Sequence, residues 1–323
     1  MKSSQKAKVA IITRTRTDGR EIFLRRALET IKKQTFANFV HVVINNGGDR
    51  QELERILRDF PANNRIVIHN EDNRFIASLN QGVRACESEY VAILDDDDTW
   101  HPDRLKKTVE YLDKTKKDVV VVKMDVIIEE MEKGAIKKVS QHLHPESGEG
   151  EISLYKQCFK NYLSNGIVTY TRRIFEEVGG YDETLPTAED WDFGIRLLLK
   201  TDVGFLRDEE PLFFYHQRPK EKGASGNSVH AGVRQQEETI MLIRNRYLRK
   251  DLTSGTLGVG YIMNSQPETL SSVVRLEGHM NHVGGEIEVR LSELHNEVKA
   301  LREALPSTKV KNTARSLFKK VRH

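Results

Sequence analysis

The first half of the chain alternates short apolar runs of strand length with stretches of helical period, which restricts the fold to a mainly parallel sheet covered by helices. The strand candidates are Val9 to Thr13, Phe39 to Ile44, Arg65 to Ile68 and Tyr90 to Leu94, each apolar enough to be buried on both faces. Between them Phe23, Leu24, Ala27, Leu28 and Ile31 recur at helical spacing, as do Leu53, Ile56 and Leu57, so both segments can cover a sheet face. Open sheets of this kind bind ligands outside the carboxyl ends of their strands. Thr13 to Arg16, Asn45 to Gly48 and Asp95 to Asp98 all fall there, so these loops are expected to share one crevice.

With 323 residues the chain exceeds what one core usually takes up, about 250 residues, so an α/β domain over 1–234 plus an appendage is expected. Charged residues make up 31% and hydrophobic ones 38%, a globular balance. The apolar runs Val9 to Ile12, Val91 to Leu94 and Val119 to Val122 fall far short of the roughly 20 residues that a membrane helix needs. Met1 to Lys8 is polar and basic, which leads to the expectation of no secretory signal and of cytoplasmic residence. Cys86 and Cys158 have no Cys or His at zinc spacing and read as packing residues. A net charge of +3 gives no argument for nucleic acid as a partner.

The charged, glycine-containing stretch from Glu129 to Gly150 suggests an exposed hairpin or loop beside the crevice. A helix is expected after Arg172, ended by Gly179-Gly180, and another from Glu189 with Ile195, Leu198 and Leu199 on its apolar face. Beyond about Arg234 the pattern is helical, with a linker expected at Thr253 to Gly260. Within the extension, 235–306, Met280, Val283, Ile287, Leu291, Leu294, Val298, Leu301 and Leu305 step by three or four, the spacing of a short coiled coil or bundle helix. Residues 270–305 are therefore a candidate homo-oligomerisation stem. The tail, 307–323, carries Lys309, Lys311, Arg315, Lys319, Lys320 and Arg322 around Val310, Ala314, Leu317, Phe318 and Val321, a basic amphipathic pattern suited to an anionic membrane surface or to a solvated end.

Asp95, Asp96, Asp97 and Asp98 directly follow an apolar strand, and adjacent carboxylates repel unless a cation or solvent relieves them. A hard divalent cation such as Mg2+ or Mn2+ suits an oxygen-only site that stays open to substrate phosphates; a solvated acidic turn is the other reading. The segment Tyr90-Val-Ala-Ile-Leu-Asp95-Asp-Asp-Asp-Thr-Trp100-His-Pro resembles the strand and Asp-x-Asp motif of family 2 glycosyltransferases. Lys8 to Thr15, Val42 to Asp49, Asn73 to Gly82, and Gly179-Gly-Tyr-Asp-Glu183 leading to Glu189-Asp190-Trp191 are similar to that family in the same order, over roughly residues 8 to 230.

The resemblance implies a GT-A fold, Rossmann-like with a mainly parallel sheet, followed here by a helical or coiled-coil extension. It also implies inverting, metal-dependent transfer of a sugar from a nucleotide-sugar donor to a hydroxyl of a glycan or lipid-linked oligosaccharide acceptor. Carried over by position, Asp95 would contact ribose or nucleotide, Asp97 would ligate the metal, and Asp96 would stand on the donor side. Thr13, Arg14 and Arg16 could hold the nucleotide and its phosphates. Asn46 stands where the family commonly has an acidic residue that accepts from the base, and an amide both accepts and donates, so the base stays open. Arg74 lies in the loop behind the nucleotide.

Asp190 would be the catalytic base, taking the acceptor hydroxyl proton, with a dipole-serving carboxylate at a helix N-terminus as the alternative. Glu189, Trp191 and His216 complete the acceptor side. Trp191 reads as a stacking platform or a core residue, and His216 as a ligand or a surface histidine at a strand end. Arg218 with Ser225 to Ser228 could form a lid. A sugar nucleotidyltransferase and a non-catalytic scaffold or chain-length regulator are the competing functions. The former would carry a glycine-rich loop with lysine after the first strand, whereas Gly47-Gly48 follow the second. The resemblance and the basic tail together point to bacterial surface polysaccharide assembly at the inner face of the cell membrane.

Overall fold

The computed structural model describes residues 7–62, 64–71, 73, 75–144, 152–227 and 233–264, together with 290, 294–297 and 299. The tail 307–323 lies outside the described residues, as does nearly all of the proposed stem 270–305. One compact unit runs from Met1 to Met263 and a second from Asn264 to His323.

The larger sheet has seven strands: β1 (Ala7–Thr15), β2 (Phe39–Asn46), β3 (Arg65–Asn70), β4 (Ser88–Ile93), β6 (Val119–Val122), β9 (Val168–Thr171) and β10 (Val203–Leu206). Their order is β10-β6-β9-β4-β1-β2-β3. β1 pairs parallel with both β2 and β4, so the ends of these three strands emerge side by side. β9 runs antiparallel between β4 and β6, the reversal that makes the sheet mixed. β1 and β2 are buried on both faces, as their apolar runs imply. β3 departs from that expectation. It is the sheet edge, with Val67 38% exposed and Ile66 and Ile68 only partly covered.

Helices cover the sheet as the apolar spacing predicts. α1 (Glu21–Lys32) buries Phe23, Leu24, Ala27, Leu28 and Ile31. α2 (Arg50–Asp59) is capped by Asp49, whose side chain accepts from the backbone N–H of Gln51 and Glu52, a cap that contributes about 1 kcal/mol. α3 (Ala77–Arg84) approaches the sheet so closely that a Cβ on Gly82 would lie 2.7 Å from side-chain carbons of Ile12 and Ile44. α4 (Arg104–Thr115), α5 (Leu154–Phe159), α6 (Arg172–Glu177) and α7 (Glu189–Leu198) follow. The buried face of α7 is Trp191, Phe193, Ile195 and Leu197, while Leu199, past its last turn, is 46% exposed.

A four-stranded sheet, ordered β5-β11-β7-β8, borders the crevice: β5 (Thr99–Trp100), β7 (Met124–Glu132), β8 (Ala135–Leu143) and β11 (Phe213–Gln217). β7 and β8 form the expected hairpin, starting earlier than the charged stretch. Lys133 and Gly134 both have positive φ, 51° and 81°, as a type I′ turn requires. A bulge between Ile128 and Glu129 breaks the alternation of β7 and turns Glu129 inward, where it is 3% exposed.

The first unit continues past the boundary expected at 234. α8 (Val233–Ser254) buries Thr239, Ile243 and Asp251. The stretch expected as a linker is a capped turn into α9 (Val259–Asn264), because Asp251 Oδ2 accepts from the N–H of Gly258 at 2.9 Å and of Tyr261 at 2.8 Å. Among the described residues no helix is long and apolar enough to cross a membrane.

Candidate active site

The ends of β1, β2 and β4 open onto a cavity of about 530 Å³, with Arg14, Asn46 and Asp95 to Asp98 on one wall and Glu189 and Asp190 on another. Each aspartate of the run is held by a different set of partners, Arg20 being common to Asp96 and Asp97. Asp95 accepts a two-pronged bond from Arg14, Nε to Oδ1 at 2.9 Å and Nη2 to Oδ2 at 2.8 Å. Asp96 accepts from Thr15 Oγ1 at 2.7 Å and from Arg20 Nη2 at 2.6 Å. Asp97 Oδ2 accepts from Arg218 Nη2 at 2.5 Å and Asn227 Nδ2 at 3.2 Å, with Arg20 Nη2 at 3.1 Å. Asp98 Oδ1 accepts the backbone N–H of His216 at 3.0 Å.

These partners separate the proton affinities of neighbouring carboxyls. Burial resists ionisation of Asp97, but Arg20 and Arg218 outweigh it and hold the carboxyl below its ordinary range. Burial raises Asp96, with Arg20 opposing. Asp98 is pushed well above the carboxylate range by burial, with Asp97 adding repulsion.

Glu129 ties the second sheet to this loop. Its carboxylate accepts from Arg26 Nη1 and from His216 Nδ1 at 2.6 Å, and pairs with Arg218 at 3.4 Å. Burial opposes the charge of Glu129, yet His216 and Arg26 keep the carboxyl below its ordinary range. Burial also depresses the His216 imidazole, with Arg26 and Arg218 adding to the effect and Glu129 opposing it. A neutral ring beside an ionised Glu129 carries its proton on Nδ1 and accepts from Thr99 Oγ1 at Nε2, 2.8 Å away. His216 is 5% exposed and therefore not the surface histidine weighed from the sequence.

Where Glu189 and Asp190 line the cavity, α7 is entered through Ala188, a non-glycine residue held at φ 55°. The turn that follows brings Glu189 against Arg14 Nη1 at 3.2 Å and Asn165 Nδ2 at 3.4 Å. Asp190 is partly exposed to the cavity. Burial by the surrounding walls, with the Glu189 carboxylate beside it, pushes its carboxyl up to about 7.

Other sequence candidates are placed differently. Thr13 is fully buried within β1, hydrogen-bonded to His41 Nε2 at 3.0 Å, and does not line the cavity. Arg16 lines the mouth, exposed and paired with Asp18. Asn46 lines the cavity while donating to Ser78 Oγ at 3.1 Å and accepting from Asn70 Nδ2 at 3.0 Å. Trp191 is a core residue, its Nε1 donating to Gln157 O at 2.6 Å. Arg74 lies outside the described residues. Sequence reasoning missed Thr15, Arg20, Glu129 and Asn165. Thr15 and Arg20 flank the first loop and were within reach of a scan for partners to the acidic run.

The donor set suits a hard cation in its sparsest form. Among the described residues no group of three or more His, Cys, Asp or Glu side chains forms a metal cluster. The described contacts of the Asp97 carboxylate all fall on Oδ2, which leaves Oδ1 available on a residue that lines the cavity. One such oxygen beside a diphosphate fits Mg2+ or Mn2+, which draw most of their ligands from water and phosphate.

The sequence profile of Glycosyl transferase family 2 matches residues 9–179. An uncharacterized glycosyltransferase of Haemophilus influenzae is 24% identical over 224 residues, 69% of this chain and 71% of that protein. One from Rickettsia felis is 25% identical over 214 residues, 64% of this chain but 34% of the relative, so the chain spans about a third of that protein's length. WcaA of Escherichia coli, provisionally assigned as a glycosyl transferase of colanic acid biosynthesis, is 22% identical over 188 residues, 57% of this chain and 64% of WcaA. Among solved structures, Staphylococcus aureus TarS 1-349 in complex with UDP-GlcNAc superposes with a TM-score of 0.52 at 21% identity, covering 68% of this chain and 61% of that one. The mannosyltransferase PcManGT of Pyrobaculum calidifontis, in complex with GDP-Man and Mn2+, gives 0.54 at 14% identity over 81% and 70% of the two chains. At these identities the structures establish a shared fold, the GT-A arrangement.

Proposed function

Because the chain belongs to glycosyl transferase family 2, we propose that it moves a sugar from a nucleotide-sugar donor to a hydroxyl of a glycan or lipid-linked acceptor, inverting the anomeric centre. The observation that carries this reading is that the acidic run and Asp190 line one and the same cavity. Donors of this class occupy the GT-A neighbours TarS and PcManGT.

In this mechanism the donor's nucleotide lies over the ends of β1 and β2. Asp95, held by the two-pronged grip of Arg14, would meet the ribose. Asn46 meets the base with an amide already committed to Ser78 and Asn70, so base choice depends on that network as a whole. Asp97 Oδ1 would hold the divalent cation, which supplies neutralisation of charge on the departing diphosphate. Arg20, on the cavity wall, adds positive charge at the same end. In the same cavity, Asp190 takes the proton of the acceptor hydroxyl as that oxygen attacks the anomeric carbon. Its proton affinity near neutral pH suits a general base. Asn165 and Glu189 hold the turn from which it projects.

The pathway reading is bacterial surface polysaccharide assembly, supported by the resemblance to WcaA. The basic tail 307–323 would then attach the enzyme to an anionic membrane surface at the cytoplasmic face, each basic residue contributing about 1 kcal/mol. Removing 307–323 should abolish sedimentation with anionic vesicles at low salt. The activity is tested with a panel of nucleotide sugars and Mn2+. Release of nucleoside diphosphate, faster with acceptor, is expected, whereas release of pyrophosphate from nucleotide and sugar phosphate would mark a nucleotidyltransferase.

A further inference from the structure

One buried guanidinium joins the two walls of the cavity. Arg14, 5% exposed, grips Asp95 with two nitrogens and gives the third, Nη1, to Glu189 Oε1 at 3.2 Å and to the carbonyl of Phe75 at 3.2 Å. Its guanidinium also lies 3.8 Å from the centre of the Phe75 ring, so it is fixed on every side. Glu189 is equally buried and is steadied by Asn165, which in turn accepts from Tyr181 OH at 2.8 Å. The first turn of α7 has no side-chain cap and is entered through a left-handed alanine, a conformation that a Cβ disfavours. The Arg14–Glu189 pair and Asn165 supply the fixing that a cap would otherwise give.

We propose that Arg14 is a positioning residue for the transfer. By pairing at once with Asp95 and Glu189, it sets the separation between the donor-side acidic loop and Asp190, and it balances the charge beside that base. This inference rests on the reading of Asp190 as the base.

The electrostatic consequence has a sign. Glu189 precedes Asp190 and disfavours its ionisation, while Arg14 favours it. Among the described residues, Asp190 also meets Asn161, which hydrogen-bonds to it, the backbone N–H of Trp191, and Tyr215 from β11. Asp192, on the same turn, is paired with Arg196 at 2.8 Å. Loss of the Arg14 charge leaves Glu189 unopposed, so Asp190 holds its proton more tightly. Loss of the Glu189 charge does the reverse.

The test is the pH dependence of kcat at saturating donor for Arg14→Met, Glu189→Gln and the double variant. The acidic limb should move up by about one pH unit in Arg14→Met, move down in Glu189→Gln, and return toward the wild-type position in the double variant. Arg14→Lys keeps the charge but not the fork, so it should leave the limb near its original pH while raising the donor KM. Limbs that stay in place, or move in the same direction in both single variants, would overturn the role. Glu189→Gln removes charge without volume and settles the sign even where Arg14→Met does not fold. Asp190→Asn separates the two readings. A silent Asp190→Asn with unmoved limbs sinks the Arg14 role alone, and near-normal turnover in Asp190→Asn removes both.

Discussion

Arg218 Nη2 donates to Asp97 Oδ2 across 2.5 Å, linking residues 121 apart in the chain. Asn227 reinforces the link, donating from Nδ2 to the same oxygen and accepting the N–H of Arg218 on Oδ1 at 2.7 Å. The segment after β11 is thus fastened to the acidic run through one carboxylate oxygen, with Arg218 fully buried against Phe23. A free carboxylate could turn either oxygen to a cation. This one is held in a single orientation.

Asp97→Ala should therefore abolish the metal-dependent part of diphosphate binding, and Asn227→Ala should weaken it roughly tenfold, the scale of one hydrogen bond to a charged group. Calorimetry with UDP and with GDP, each with and without Mn2+, reads both effects. An Asp97→Ala protein whose affinity still rises with Mn2+ would remove the metal assignment.

Asp190→Asn should leave donor affinity unchanged and lower kcat by about 10²–10⁴-fold, the usual contribution of a general base. In the wild-type protein kcat should climb as pH rises through about 7, because the raised carboxyl must lose its proton to act. A flat profile between pH 5 and 8 with chemistry rate-limiting, as judged by single-turnover kinetics, would argue against that role.

Glu129→Leu should destabilise the fold by about 3–5 kcal/mol, since it removes the buried carboxylate shared by Arg26, His216 and Arg218 and leaves Arg26 without an ion-pair partner and Arg218 with Asp97 alone. Chemical denaturation at neutral pH measures this. A loss below about 1 kcal/mol would mean that the arginines find other partners.

His41 predicts acid sensitivity. Burial, with Arg65 nearby, lowers its imidazole to about 3, and Nδ1 has no partner among the described residues. The unfolded chain takes up this proton near its ordinary value of about 6.5, whereas the folded chain resists until about 3. Between those values the unfolded state binds more protons, so stability falls as pH drops, at up to about 1.4 kcal/mol per pH unit from this group. His41→Asn, which keeps a polar partner for Thr13, should flatten the dependence of the urea midpoint between pH 6 and 4. An unchanged slope would show that other groups control acid unfolding.

The sheet and the cavity at its strand ends were legible because β1, β2 and β4 are continuous apolar runs that end in polar loops, and parallel neighbours place those ends together. Edge position was not legible: Arg65 to Ile68 looks as apolar as a central strand, but β3 has a neighbour on one side only. In the site, residue types near the strand ends were readable and their pairings were not. Arg14 and Glu189 are separated by 175 residues, and no local pattern encodes such a contact. Thr13 was misplaced because β1 runs two residues past it, so that Thr15, on the same face, is the hydroxyl at the strand end that reaches the acidic run. Glu129 was hidden by the bulge, which overrides the period that would have put it outside. His216 looked superficial because a strand end usually is, whereas here it lies against the hairpin.

The antiparallel strand β9 has a consequence for how each chain comes into being. The sheet partners of β6 are β9 and β10, and β9 also covers the outer edge of β4. Both partners of β6 are translated after it. While residues 168–171 are still unmade, the nascent protein can assemble β3-β2-β1-β4 but leaves β4 with an open edge, an invitation to pairing with another chain. Arrival of Val168–Thr171 closes that edge and gives β6 its place in one event. The acidic run after β4 is thus synthesised well before the sheet beneath it is complete, and its final geometry waits on a strand made some seventy residues later.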